Sequence, residues 1–410
     1  MRSNIYKYAA TLVVCLAFGS CRFGESAEDV VNKHKQEERH LLFSMNIAGP
    51  DGSLSSRVTI KDDGLNGLLY NWEYNDAIAI FDNGDVLSNK DSISPLVPCL
   101  AYVSEEVSAD GESGFLKGSL FQAIIRAKIG NNAVNAKEFY LLQPYDPVAT
   151  YRSNASSVTL DFTGQDGSLS RLAKEYQYSW GKALGICLDE VVTLTDNQTS
   201  CNVEWHVHED RGRVVLDSKV AIVRFAMLYQ PTDLAGSYSG AAYALSDYLK
   251  KQGLIIHHIE IENLLENGTK LSKAKLDMRT GLVSELKDAD ASLVIQSPEG
   301  YIKTVEVRED DAIDGDGARS WGTSFYVSMP CPEGTMRMQP LVKVFTCDAT
   351  THKLSEHVFY GKLNANTVKE ANFYLTAPIK MVSDKALLKE ESKLYRYYNS
   401  SFVWEPVTIE

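Results

Sequence analysis

The stretch "FTGQDGSLSRLAKEYQYSW", residues 162–180, joins a turn signal to a helical pattern that ends on aromatic residues. Two glycines mark the turn, and Asp166 is the predicted N-cap of a helix of about three turns. The apolar residues recur at intervals of three and four, the spacing of one helical face. They are Leu169, Leu172, Ala173, Tyr176 and Trp180. The pattern predicts that this face packs against a sheet; the alternative is a solvent-facing aromatic platform for a sugar.

Composition around this stretch is that of a globular protein. The chain has 410 residues, of which 44% are hydrophobic and 23% charged. This length is enough for roughly two or three domains. The net charge of −13 argues against nucleic acid as a partner, because phosphates are bound by clustered lysine and arginine.

The N-terminus has the pattern of an export signal. Residues 1–20 are a predicted signal peptide, whose ten apolar residues are too few to span a bilayer as a helix. The sequence "FGSC" that ends at Cys21 resembles the lipobox of bacterial lipoproteins, although Phe18 stands where leucine is usual. The resemblance implies a lipid on Cys21 that anchors the chain in the outer membrane; the alternative is an ordinary signal peptide with an incidental cysteine. Residues 21–40 are polar and form the predicted tether.

The rest of the chain reads as a succession of short strands. Runs rich in β-branched and aromatic residues alternate with Gly, Asn, Asp and Pro, which predicts a mainly β fold of antiparallel sandwiches. A Pro/Gly/Ser-rich patch near 230–240 divides the chain into an N-terminal domain, 41–235, and a C-terminal domain, 236–410. A short junction helix is predicted near 241–252, with Gly253 at its C′ position.

Cysteines and acidic or histidine clusters give few chemical candidates. Two disulfides, Cys187–Cys201 and Cys331–Cys347, are compatible with export and would leave Cys99 unpaired; five buried thiols are the alternative. His206 and His208 share a strand face, which suits either a metal pair or surface histidines. Asp314 and Asp316 suit either a calcium loop or a solvated one. The sequence predicts no metal, no cofactor and no catalysis, although a glycosidase carboxylate pair stays open.

Several segments together are similar to the fimbrillin superfamily, the lipoprotein pilins of type V pili. The most specific is Gln165–Tyr178 within the segment "FTGQDGSLSRLAKEYQYSWGKA" (162–183). Three others accompany it: "WEYNDAIAIF" (72–81), "LDSKVAIVRFAML" (216–228) and "AKLDMRTGLV" (274–283). The junction helix and the absence of a G-K-x-Y motif near the C-terminus depart from the family pattern.

The resemblance implies two tandem transthyretin-like antiparallel β-sandwich domains and a route of assembly. The first strand, residues 41–47, would be removed by cleavage after Arg57, for which Arg39 is the competing position and an ordinary loop arginine the alternative. Other pilus subunits would then fill the groove by strand exchange. The candidate donor strand lies in the C-terminal tail, 393–410. Its candidate residues are Phe402, Trp404, Val407 and Ile409.

The implied function is that of a pilus subunit or pilus-associated adhesin at the outer membrane or in the fimbrium, with a host or bacterial surface ligand. The departures favour a minor, tip or accessory subunit over a major stalk subunit. In a tip subunit the tail would be the last strand of its own domain and no donor. The alternative is a non-polymerising outer-membrane lipoprotein that binds glycan or host protein.

Overall fold

The computed structural model describes the backbone of the strands and helices given below and of the turns that join many of them. These residues are 38–48, 59–62, 68–71, 77–85, 94–95, 99–101, 119–128, 136–144, 157–195, 198–206, 213–231, 237, 240–265, 271–285, 292–302, 306–308, 312–313, 318–319, 322–388, 391–398 and 403–406. Side chains are described for 78–79, 140–144, 157–182, 216–231, 237, 240–265, 271–285, 292–302, 322–388 and 391–395. The chain forms two compact units, one of residues 1–38 with 128–132 and the other of the remaining residues. The architecture below is that of the second unit.

The described chain is mainly β, with very few helices. The first strands are β1 Glu38–Ala48, β2 Thr59–Asp62, β3 Leu68–Asn71, β4 Ala77–Asp85, β5 Ser94–Pro95, β6 Cys99–Ala101, β7 Ser119–Lys128, β8 Ala136–Gln143, β9 Ser157–Asp161 and β10 Ser179–Thr195. There follow β11 Gln198–His206, β12 Arg213–Val215, β13 Asp217–Ser218, β14 Val220–Tyr229, β15 Tyr243–Ala244, β16 Leu254–Asn263, β17 Lys273–Asp277, β18 Val283–Glu285, β19 Ser292–Ile295 and β20 Glu306–Arg308. The last are β21 Ala312–Ile313, β22 Ala318–Arg319, β23 Gly322–Pro330, β24 Thr335–Met338, β25 Pro340–Asp348, β26 Leu354–Lys362, β27 Asn366–Lys369, β28 Phe373–Thr376, β29 Ile379–Met381, β30 Leu394–Tyr398 and β31 Val403–Pro406.

The helical elements are short. α1 is the single turn Leu169–Arg171, which a π-helical turn, Leu172–Tyr176, continues. α2 is Leu245–Lys251, and two 3₁₀ turns occupy Pro332–Gly334 and Lys385–Leu387. α2 lies within the predicted junction helix, and Gly253 has a φ of +70° just beyond the C-cap, which confirms the predicted C′ glycine.

Most strand pairings are antiparallel. A ten-stranded sheet has the order β11-β1-β7-β6-β4-β8-β10-β13; β12 also pairs with β1, β5 with β4 and β11 with β10. An eight-stranded sheet has the order β20-β23-β14-β28-β30-β31; β15 and β29 also pair with β14. A four-stranded sheet, β19-β16-β25-β26, and a three-stranded sheet, β18-β17-β9, complete the larger pieces. The parallel exceptions are the pairings of β1 with β11 and β12, and of β14 with β28 and β29.

β14 is the central strand of the core. Its sequence, "VAIVRFAMLY", is apolar almost throughout, and all but its last residue are buried, as for a strand covered on both faces. β23 pairs with it over eight positions, and Phe225 stacks on Phe325 with 5.0 Å between ring centroids. β14 and β9 pair with strands beyond residue 235, so two sheets combine strands from both sides of the predicted domain boundary. The two-domain assignment stays a prediction.

The predicted three-turn helix is wrong in length. The helical turns end at Tyr176, and Trp180 is already the second residue of β10. The long antiparallel ladder between β10 and β8 requires extended backbone from Ser179 onward, and this non-local pairing overrides the helical periodicity. The predicted apolar face is nevertheless buried at Leu172, Ala173 and Tyr176. Core packing, not a sugar platform, is therefore the role of this face.

Candidate functional site

The sequence-predicted site residues belong to the two ends of the chain. Trp404 lies in β31, where its backbone is opposite that of Tyr397 in β30. The remaining predicted site residues fall outside the part of the chain that the structure describes: Cys21, Arg57, Phe402, Val407 and Ile409. Lipidation, cleavage and strand donation therefore stay predictions.

The first predicted strand, residues 41–47, lies within β1 and is an interior strand. It runs parallel to β11, with His40 opposite Gln198, and the sheet continues on its other side through β7. Because β1 has a neighbour on each side, its removal would leave two rows of unpaired backbone N–H and C=O groups. An added strand could pair with both rows.

The last strand is an edge strand. β31 closes the path of the eight-stranded sheet and pairs antiparallel with β30, with Tyr398 opposite Val403. Within the structure the tail is thus already paired with its own chain. This is the arrangement in which the tail is the final strand of its own sheet.

Trp180 is the centre of a contact cluster between segments distant in sequence. Its indole Nε1 donates to the backbone carbonyl of Met278 at 2.9 Å, and its ring lies over Gly281. A Cβ at position 281 would come within 2.5 Å of the ring, so a side chain there would clash with Trp180. The φ of +70° at Gly281 also disfavours any residue with a side chain. The rings of Tyr140 and Trp180 stack with centroids 6.4 Å apart, and Lys219 Nζ lies 5.7 Å from the indole. We call these five residues the Trp180 cluster.

Gln165 ties the opening turn to β23. Its side-chain amide pairs with one backbone residue in both directions: Nε2 donates to the Ser328 carbonyl at 2.9 Å, and the Ser328 N–H donates to Oε1 at 2.8 Å. The amide therefore replaces a strand residue in the backbone ladder, and it is buried. The Ser328 hydroxyl donates in turn to the Tyr176 carbonyl at 2.8 Å. Sequence reasoning named Gln165 only within the resemblance and missed this role.

The N-cap of the helical turn is Ser168, and the prediction of Asp166 is wrong. Ser168 Oγ accepts a hydrogen bond from the N–H of Arg171 at 3.3 Å. Asp166 Oδ1 accepts instead from the N–H and the hydroxyl of Ser168, at 2.9 and 2.7 Å. Asp166 therefore forms the turn before the helix and orients the residue that caps it.

Three segments of the resemblance supply residues to the Trp180 cluster, and the fourth is joined to it through β8. Leu142 of β8 pairs with Ala79 of β4 on one side and with Trp180 of β10 on the other, which joins segment 72–81 to segment 162–180. Segment 216–228 supplies β13 and β14, and Gln177 Nε2 donates to the Ser218 hydroxyl at 2.9 Å. Segment 274–283 supplies the loop under the Trp180 ring. Segments that are separate in sequence thus form one packed unit.

The described side chains offer little for catalysis. Cys331 and Cys347 are buried free thiols, so their predicted disulfide is wrong and the alternative of buried thiols is confirmed for these two. Burial raises the pKa of the Cys331 thiol, which keeps it protonated and unreactive. Among the described residues no group of three or more His, Cys, Asp or Glu is placed to hold a metal ion. His206 lies in β11, and His208, Asp314 and Asp316 lie outside the described residues.

No helix in the described ranges combines the length and the apolar character that crossing a membrane requires.

No family model matches the chain, and no curated protein matches it. Solved structures of similar shape exist at low identity. A "putative cell adhesion protein" from Parabacteroides distasonis is 10% identical, covers 88% of this chain and 100% of its own, and has a TM-score of 0.41. One from Bacteroides ovatus is 8% identical over 85% of this chain and 97% of its own, with a TM-score of 0.38. A fimbrial assembly protein from Parabacteroides distasonis is 10% identical over 90% and 99%, with a TM-score of 0.32. A likeness at this level does not by itself establish a fold or a function.

Proposed function

We propose that this chain is a fimbrillin-like surface protein with a role in a pilus or in adhesion, and without catalysis. The observation that carries the proposal is that residues of three resemblance segments form the Trp180 cluster, which β8 joins to the fourth. A chance similarity in one segment is weak, but here Trp180 of one segment requires Gly281 of another, because the indole occupies the space of a Cβ. These contacts describe how the segments pack together, and the function is inferred from their resemblance to the fimbrillin superfamily.

The proposal includes export as a lipoprotein and two transthyretin-like sandwich domains. Small residues precede Cys21 at the end of an apolar stretch, which is the pattern that lipid attachment requires. Several acyl chains on one cysteine give a stable anchor, because each buried methylene contributes about 0.8 kcal/mol. In this proposal the protein is held at the outer membrane or incorporated into a fimbrium.

Assembly would proceed by strand exchange. Cleavage after Arg57 separates β1 from the rest of the chain, whereas cleavage after Arg39 would leave most of it in place. The interior position of β1 supports the first alternative, because its loss opens a groove between two strands. A strand from another subunit would restore the ladder and bury alternate side chains.

The position in the pilus would be at the tip or in an accessory subunit. The pairing of β31 with β30 in the same chain supports this position, because a strand used in its own sheet is not available to a neighbour. The same observation favours the second candidate function, a lipoprotein that binds glycan or host protein and does not polymerise. The two differ in whether the groove left by β1 is ever filled.

The decisive experiment is N-terminal sequencing of the surface-exposed form, with Arg57→Ala and Arg39→Ala as a matched pair. We expect a start at Val58, loss of processing in Arg57→Ala, and normal processing in Arg39→Ala. SDS-resistant complexes with other subunits should then require Arg57. A surface form that still begins at Cys21 would overturn the assembly proposal, and a processed monomer would leave the binding lipoprotein in its place.

The anchor is tested separately with Cys21→Ala. The proposal predicts that this variant takes up no labelled palmitate and accumulates as an unprocessed precursor. Cys15→Ala, inside the signal peptide, is the control and should be labelled normally. Normal processing and localisation of Cys21→Ala would contradict the lipoprotein assignment.

A further inference from the structure

A hydrogen bond joins the rings of two consecutive histidines in the four-stranded sheet. His257 and His258 belong to β16, and their Nδ1 atoms are 2.7 Å apart. The ring centroids are 5.0 Å apart, and the rings stand at 78° to each other. The two nitrogens therefore face each other in line, so that one ring donates an N–H to the lone pair of the other.

A β-bulge in β16 makes this contact possible. The buried isoleucines of the strand step by two from Ile261 to Ile259 and then by three to Ile256. The pairing with β25 is regular on both sides of His257 and skips that residue. Strict alternation would turn the two histidines to opposite faces of the sheet, whereas the extra residue of a bulge lets both reach the same side.

The surroundings of His258 decide which of the two rings is the donor. Its Nε2 lies 3.9 Å from Glu260 Oε1, and a carboxylate at that place favours the tautomer that carries its proton on Nε2. His258 Nδ1 is then the acceptor, and His257 Nδ1 carries the proton of the bond. The His258 ring also stacks on Phe345, with centroids 4.2 Å apart and an interplanar angle of 7°, which fixes its orientation.

This hydrogen bond limits the charge that the two rings can carry together. A proton added at His257 Nε2 leaves the bond intact, because His257 Nδ1 continues to donate. A proton added at His258 has to go to Nδ1, which is the acceptor, and two N–H groups cannot face each other at this distance. Burial, and after it the charge of His257, lower the pKa of His258, whereas Glu260 acts in the opposite direction.

We propose that the His257–His258 hydrogen bond is a pH-sensitive latch on the part of β16 that precedes the bulge. At neutral pH the bond holds the two rings together and fixes the bulge. Protonation of His258 Nδ1 breaks the bond, and the His257 ring turns into solvent. Leu254–Ile256 then separate more readily from their partners in β25, Thr346–Asp348. Nothing in this proposal depends on the pilus assignment, because it uses only β16, β25 and their side chains.

The charged groups next to the latch belong to β16 and β25. Glu260 lies beside His258, and Lys343 Nζ is 3.5 Å from Glu260 Oε2 and 2.8 Å from Glu262 Oε2. The lysine offsets part of the attraction that the two carboxylates exert on a proton at His258. Glu260 therefore orients the His258 ring without cancelling the effect of burial and of His257.

The segments that flank this end of β16 carry further titratable residues. They are Asp247, Tyr248, Lys250 and Lys251 of α2, Glu299 and Tyr301 of the turn before Ile302, and Asp348 and His352 at the turn after β25. α2 packs on the buried side of β16, where Leu245 and Leu249 share the core with Ile256. The ring of Tyr301 packs against that of His352, with centroids 4.4 Å apart. His352 is the one histidine of this set, and it therefore serves as a control for the latch.

The direction of the effect on stability follows from the lowered pKa of His258. A histidine in an unfolded chain takes up its proton near about pH 6.5, and folded His258 takes it up at a lower pH. Between these two pH values the unfolded state binds more protons, so the unfolding free energy falls as the pH decreases. The latch is therefore closed at neutral pH and opens in acid.

The experiment is a pH titration of the unmodified protein, followed by nuclear magnetic resonance of its ¹⁵N-labelled histidines and by amide hydrogen exchange. At neutral pH we expect the proton of His257 on Nδ1 and that of His258 on Nε2. His258 should take its second proton below about pH 6.5, together with a loss of amide protection at residues 254–257. The protection factors should fall by up to about tenfold per pH unit in this step, the limit for one titrating group. A proton on His258 Nδ1 at neutral pH, or constant protection while His258 titrates, would overturn the proposal.

Two variants separate the latch from other effects of acid. His258→Phe keeps a ring to stack on Phe345 and removes the acceptor, so protection at residues 254–257 should no longer change with pH in this range. His257→Ala removes the donor and its charge, so the pKa of His258 should rise. The unmodified response should persist in both controls, His357→Gln and His352→Asn.

The two control positions are matched to the latch in residue type and in sheet. His357 is an exposed histidine of β26, and His352 has a φ of +55°, which asparagine tolerates. An acid response that remains in His258→Phe, or that disappears in a control variant, would assign the response to other groups and overturn the latch. An unchanged pKa of His258 in His257→Ala would do so as well.

Discussion

The Trp180 cluster and the C-terminal strand β31 differ in the contacts that the structure describes for them. Trp180 is 9% exposed and is fixed by two distant parts of the chain: a hydrogen bond and a glycine from the loop after β17, and an aromatic ring from β8. For β31 the structure describes the backbone ladder with β30 at the end of a sheet. The stretch with the most distinctive sequence thus lies in the packed scaffold, whereas the strand of the candidate donor tail lies at a sheet edge.

The largest expected effect is that of Trp180→Ala. The substitution empties the space between Gly281 and Tyr140 and leaves the Met278 carbonyl without its donor. Replacing a buried tryptophan by alanine costs about 3–5 kcal/mol of unfolding free energy, which urea denaturation measures. Trp404→Ala in the edge strand is the matched comparison and should cost less. Equal losses would remove the distinction between scaffold and edge.

Much of the local pattern around Trp180 could be predicted from the sequence, and its long-range partners could not. The mainly β composition, the position of α2 and the buried face at Leu172 and Tyr176 follow from residue spacing, and the structure confirms them. The end of the helical turns at Tyr176 does not, because it depends on the ladder that places Trp180 opposite Leu142. Hydrophobic periodicity reports on residues that are close in sequence, whereas a strand forms where a distant segment supplies its backbone hydrogen bonds.

The contact between His257 and His258 in β16 also depends on a strand pairing that the sequence does not reveal. The sequence "HHIEIE" reads as an alternating strand with its isoleucines inward, and the structure confirms the inward isoleucines at 259 and 261. The bulge at His257 depends on how β25 pairs with β16, and no local signal announces it. The sequence therefore did not predict the contact between the two imidazole rings.

A second prediction uses the alkaline titration of Tyr176. Burial raises the pKa of this phenol to about 12, whereas in an unfolded chain it is about 10. Below pH 10 the phenol is protonated in both states. As the pH rises from 10 to 12 the unfolded state loses its proton first, so the unfolding free energy falls by about 2–3 kcal/mol.

Urea denaturation at pH 9, 10, 11 and 12 measures this decline, and Tyr176→Phe is the variant that tests its origin. The variant should lose part of the decline, while Tyr229, whose pKa burial also raises to about 12, supplies a remainder. An identical decline in the variant would mean that the Tyr176 phenol is solvated in the folded protein.

The third prediction concerns Gln165→Leu. Leucine keeps the apolar volume but leaves both the N–H and the carbonyl of Ser328 without the bonds that the amide makes. Leaving buried backbone groups unpaired costs about 1–3 kcal/mol. Hydrogen exchange at the Ser328 amide should accelerate more than exchange elsewhere in β23. Gln165→Glu is the control, since it keeps the acceptor for Ser328 N–H and should protect that amide better than leucine does.

The smallest effect separates Ser168 from Asp166 at the start of the helical turn. Ser168→Ala removes the N-cap acceptor for the Arg171 N–H and should cost about 1 kcal/mol of unfolding free energy. Asp166→Asn keeps a side-chain oxygen that can accept from Ser168, so its cost should be smaller. Thermal denaturation of the two variants side by side measures the difference. The reverse order would mean that the Asp166 carboxylate stabilises this turn more than the Ser168 hydroxyl does.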